Sequence, residues 1–203
     1  MDDAYATKTE LKGYADNFTD TTDDTEIDEV LLLASRAIDQ MCDRQFNSAG
    51  VTASARVYHP DHACRVTVHD FSTTTDLVVA VDLGDDGTYE TTLASTDYAL
   101  EPLNGIVDAV SGWPYYRILL TGGTTFPIWS VRPSVQVTAR WGWAAVPKPI
   151  KIATIYLALE SFKLKGAPFG VANFDQFGPI RVRENPRVMA MIAPYRKNPV
   201  LVG

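Results

Sequence analysis

All three histidines of the chain, and one of its two cysteines, fall in the stretch HPDHACRVTVH: His59, His62, Cys64 and His69. Zinc needs four such ligands converging tetrahedrally. His59 and His62 flank a turn signal, but Cys64 and His69 are an odd number of residues apart and so face opposite sides of a strand. Loop and strand residues are the favoured reading, and no metal or other cofactor is expected. The stretch DLGDDGTYE, from Asp82 to Glu90, hints at calcium. An EF-hand loop wants an oxygen ligand at its third position and a glutamate at its twelfth. Counted from Asp82 those positions hold Gly84 and Leu93, so the pattern fails, and Asp86-Gly87 suits a tight hairpin instead.

Nucleophile and nucleotide motifs are missing: there is no G-x-S-x-G, P-loop, G-x-G-x-x-G or H-E-x-x-H. Cys42 sits at the edge of an apolar helix face and reads as structural. Nothing in the chain asks for an enzyme. The aromatics Trp113, Tyr115, Tyr116, Trp129, Trp141 and Trp143 could form a carbohydrate platform, with Trp141 and Trp143 on one side of a strand. A core role, gluing sheet to helix, is favoured over it.

Charge is unevenly spread. Residues 1–47 hold 12 acidic and 4 basic side chains, net −8. Residues 48–147 hold 10 and 5, net −5, and residues 148–203 hold 3 and 9, net +6. Complementary patches of this kind set register between protein surfaces; a solvated surface is the alternative. The basic tail with Arg181, Arg183, Arg187, Arg196 and Lys197 could contact nucleic acid, yet a pI near 4.9 is the reverse of that footprint. An acidic protein surface explains it at least as well.

These residues need elements to position them. Ile27, Leu31, Ala34, Ile38 and Met41, with Val30 and Ala37 flanking, fall on one face of a 3.6-residue period and predict a helix over 24–45. Asp23 with Glu26 suggests a capping box. The stretch TKTELKG predicts a shorter helix before it. From about residue 53 the period becomes two. Roughly seven short strands, rich in β-branched residues and separated by turn formers, suggest an antiparallel sandwich or barrel. Pro147 and Pro149 then open a helix that is apolar on two faces and ends at 166. A loop or short hairpin follows, then a short helix between Pro186 and Pro194 and an extended tail. The expected fold is α+β: a small helical body from 1–50 and 146–203, carrying an inserted antiparallel β-domain over 51–145. No apolar run reaches the ~20 residues of a membrane span. The first residues lack the pattern of a signal peptide, and two cysteines fit a reduced, cytosolic setting.

Three segments carry a resemblance to a known family: YATKTELKGY followed by DDTEIDEVLLLASRAIDQMCDRQF, then RWGWAAVPKPIKIATIYLALESF, and finally FGPIRVRENPRVMAMIAPYRK. In order and spacing they resemble the head-to-tail connector, or adaptor, proteins of long-tailed double-stranded-DNA bacteriophages. They cover about 75 residues of the 203; the middle block matches in strand pattern only. The resemblance implies a structural virion protein without catalysis, made in the host cytoplasm and built into the neck as a ring, which in the family usually has twelve copies. Its implied partners are the portal protein, a neck, stopper or tail-completion protein, and other copies of itself. Genomic DNA would pass through the lumen without specific binding, and no membrane is involved. On this reading Arg181, Arg183, Arg187, Tyr195, Arg196 and Lys197 contact the portal or a neighbour. Asp20, Asp23, Asp24 and Glu26 supply acidic complement, while Trp141, Trp143 and Pro147 form the seam between β-domain and body. The competing class is a carbohydrate- or receptor-binding module built on the β-domain.

Overall fold

The computed structural model describes residues 4–14, 24–108, 110–165 and 185–197. Over these residues the fold is α+β, and the chain divides into two compact units, residues 1–47 with 146–203 and residues 48–145. No helix of the described residues is long and apolar enough to cross a membrane.

The first unit is helical. Helix α1 (Lys8–Lys12) is opened by a capping box: the Thr7 hydroxyl accepts from the Glu10 amide, and the Glu10 carboxylate accepts from the Thr7 amide at 2.9 Å. Helix α2 (Asp24–Cys42) buries Ile27, Leu31, Ala34, Ser35, Ile38 and Cys42, one continuous stripe at 3.6-residue spacing. It stops three residues short of the predicted end. Asp43 adopts a left-handed conformation, φ 50°, and the Arg44 amide donates back to the Asp39 carbonyl at 3.2 Å. That is a Schellman-type cap made without glycine, so the sequence gives no sign of it.

Helix α3 (Lys148–Lys165) buries Ile150, Ala153, Thr154, Ile155, Leu157 and Ala158. These positions span more than one face because α3 packs against α2 on one side and α4 (Pro186–Ile192) on another. Buried Thr154 is satisfied by its own helix, donating to the Ile150 carbonyl at 3.0 Å. Asn185 caps α4 by accepting from the Arg187 and Val188 amides, and a 3-10 turn, Ala193–Tyr195, follows. The expected cap at Asp23, the helix end at 166 and the loop beyond it lie outside the described residues.

The second unit is built on strands. A four-stranded sheet runs β1 (Ser54–Tyr58), β9 (Val135–Ala139), β3 (Val78–Val81), β4 (Thr91–Thr92). A three-stranded sheet runs β2 (Arg65–Phe71), β8 (Tyr115–Leu120), β5 (Tyr98–Glu101). Every pairing in both is antiparallel. Buried residues of β2, β3, β8 and β9, joined by Phe126 from the loop after β8, form one core of Val66, Val68, Phe71, Val79, Val81, Ile118, Phe126, Val135, Val137 and Ala139. Both sheets contribute to it, as in a sandwich, and no barrel closes. A small hairpin, β6 (Ile106–Val107) with β7 (Val110–Ser111), completes the strands. Two-residue strands are too short for periodicity to reveal.

Candidate functional site

The histidine and cysteine cluster divides into two pairs. His62 Nδ1 lies 3.2 Å from Cys64 Sγ, while His69 Nδ1 lies 2.8 Å from the Tyr58 hydroxyl. His69 also packs beside the Trp141 ring, and His59 is exposed. The neighbouring carboxylate, Asp61, is directed to Arg65 and Thr67 rather than to His62. A three-member relay through these partners is therefore not formed.

The stretch Asp82–Glu90 is a loop joining β3 to β4, not the tight hairpin that Asp86-Gly87 suggested. Buried Asp82 accepts from the amides of Gly84, Asp86 and Gly87 at 3.0, 3.4 and 2.7 Å, which folds the loop over its side chain. The carboxylates of Asp82, Asp86 and Glu90 lie within 4.8 Å of one another. An i, i+4, i+8 spacing could have flagged them, although the EF-hand test could not. Their bonds to backbone amides account for much of this convergence: Asp86 accepts from Thr88 at 2.7 Å, which holds its carboxyl below the usual range.

The six aromatics do not share one platform. Trp113 and Trp143 are buried against each other at 5.3 Å, with the Trp143 indole N–H donating to Asp70. Trp141 packs with Tyr58 and Phe71, carries the Arg56 guanidinium over its face, and donates to the Ser54 carbonyl at 2.8 Å. The two rings take different partners, and both lie beyond the end of β9 at Ala139, with Gly142 between them at φ 129°. Pro147 supplies the carbonyl that receives the Lys151 amide and starts α3.

Trp129 is the exception, 67% exposed, with Val131 at 86% and Ile128 also exposed beside it. Their loop is held firmly. Asp85 accepts from the Val131 and Arg132 amides, the Arg132 guanidinium donates to the Asp86 carbonyl, and the Tyr89 hydroxyl donates to the Pro133 carbonyl at 2.8 Å. Apolar side chains presented on a fixed loop are a preorganised docking feature.

The residues expected at interfaces fall into four groups. Asp20, Asp23, Arg181 and Arg183 lie outside the described residues. Asp24 and Tyr195 are engaged within the helical unit. Lys12 and Lys8 pair with Asp24 at 2.6 and 3.7 Å, and the Lys12 hydrogen bond holds its carboxyl below the usual range. Tyr195 is only 8% exposed and packs edge-on against Phe46. Glu26 and Lys197 are half-exposed, and the Lys197 amide donates to the Cys42 carbonyl, fixing the segment to the end of α2. Arg187 and Arg196 face solvent. A feature missed by sequence reasoning lies on α2: Leu33 is 68% exposed, with Val30 and Ala37 half-buried next to it.

No protein-family model matches this chain, and neither does any curated protein. Among solved structures the chain is similar to one in the neck of an empty gene transfer agent (GTA) particle computed with C6 symmetry. The two are 22% identical with a TM-score of 0.56, over 96% of this chain and 91% of that one. It is also similar to a chain of the virion of a native GTA particle, 21% identical with a TM-score of 0.52, over the same shares. At this identity the likeness is one of fold, and it extends over both units.

Proposed function

We propose that the chain is a structural protein of the neck of a phage-like particle, and within the neck a head-to-tail adaptor that forms a ring beneath the portal. The observation that carries this reading is the fold likeness to a GTA neck chain across nearly the whole length of both proteins. A neck with C6 symmetry is compatible with a ring of twelve, two copies in each repeat. The sequence segments that resemble adaptors supply the finer assignment. Opposite charge at the two ends of the chain suits a head-to-tail contact, since such a contact closes when its rotation closes. An overall charge of −7 disfavours retention of DNA in the lumen. The role asks for surfaces rather than for reacting groups. Immunogold labelling of parent particles tests the location: label at the head–tail junction supports it, and label on tail fibres or the capsid shell refutes it.

A second reading, a binding module, is favoured by one observation, the exposed Trp129 on its fixed loop. Soluble sugars that quench tryptophan fluorescence in the native chain, but not in Trp129→Phe, would move the assignment to that class.

A further inference from the structure

Beside its buried face, helix α2 carries further apolar residues, half-buried Val30 and Ala37 and exposed Leu33, with exposed Glu29 one turn before Leu33. Such residues are side-by-side neighbours on a helix. Leu33, at 68% exposure, is the most exposed large apolar side chain of the described helices. On another side of α3, helix α4 and its following turn turn Val188, Ile192 and Tyr195 inward and leave Arg187, Ala190, Ala193 and Arg196 exposed. One face is apolar and anionic. The other is cationic with short side chains between its arginines.

We infer that these two faces are the halves of one heterologous contact, the α2 stripe of one copy seated on the α4 face of a second copy. The inference rests on the ring reading above and names the surfaces that would make it. Spacing supports the match. Glu29 precedes Leu33 by four residues and Arg187 precedes Ala190 by three, about 6 and 4.5 Å along their axes. Helices laid side by side in the same direction therefore bring Glu29 to Arg187 and Leu33 to Ala190 together. Alanine at 190 leaves room for a leucine knob. Because the faces differ, a dimer keeps one of each unfilled, on different copies, and association continues past a dimer. The contact is small against the ~800 Å² per partner of a stable pair, so it is weak between free chains and gains strength when several copies are held on a common platform.

Disulfide trapping of the purified full chain tests the contact, because it captures weak association. Cys64→Ser removes the half-exposed thiol, and buried Cys42 remains. In that background, Leu33→Cys with Ala190→Cys is expected to give an oxidised ladder of dimer, trimer and larger species. Either cysteine alone should give none. No ladder, or dimers from Leu33→Cys alone, overturns the inference. Charge supplies the second arm. In the double-cysteine chain, Glu29→Arg or Arg187→Glu should each cut trapping several-fold, and both together should restore it. A combined variant no better than the single ones also overturns the inference. Failure here is separable from failure of the neck reading: a ladder from a chain whose loss leaves particle necks intact sinks the ring, whereas joined particles that require a chain giving no ladder sink only this contact.

Discussion

The two units solve the burial problem differently. In residues 48–145, strands far apart in sequence gather ten buried apolar residues into one core between two sheets. Most of the apolar surface left outside sits on short strands and loops, with the Trp129 tip the clearest case. In the helical unit, α3 packs against α2 and α4, while α2 packs against α3 and α1 and keeps Leu33 outward. Half-buried Val30 and Ala37 lie beside it.

The contrast can be broken selectively, because all four tryptophans lie between residues 113 and 143. Tryptophan fluorescence therefore reports the strand unit, and circular dichroism at 222 nm reports the helices. The largest effect is expected from Phe71→Ala, which empties a fully buried site of the strand core and should cost about 3–5 kcal/mol in fluorescence-detected denaturation. Next is Thr7→Ala, which removes the capping box of α1 and should cost about 1 kcal/mol in the helical signal.

Acid gives a smaller effect with a definite sign. Glu10 accepts from Lys151 at 2.7 Å and from Thr7, which holds its carboxyl below the ordinary value of 4.5. A carboxyl lowered on folding stabilises the fold above its unfolded pKa and loses that contribution as pH falls through the folded one. The helical signal should weaken as pH drops below about 4.5 in the native chain, and by less in Glu10→Gln. Smallest of all is Trp129→Ser: an exposed side chain should change stability by no more than about 0.5 kcal/mol. A large loss there would mean that the tip is core and not a docking feature.

Much of the fold was legible because its signals are local. The period of Ile27, Leu31, Ala34 and Ile38, the alternation in β9 and Pro149 in the first turn of α3 each specify an element within a few residues. The end of α2 was not legible, since Asp43 takes the left-handed position usually filled by glycine. Nor was the Asp82 loop, whose shape depends on one buried carboxylate choosing three amides. The surfaces were hardest to read. Periodicity marks Val30 and Ala37 as flanking the apolar face but cannot say that they stay half-buried, or that Leu33 beside them is exposed. Tyr195 is expected as a contact residue only from the family resemblance of its Pro-Tyr-Arg element, and no local pattern shows that its ring is largely buried against Phe46.

The most direct test of the neck assignment is electron microscopy of lysates from a parent particle with an early stop codon in this gene. DNA-filled or leaking heads beside separate finished tails, restored to joined particles by the intact chain in trans, are the predicted result. Joined, complete particles in the absence of the chain would contradict it.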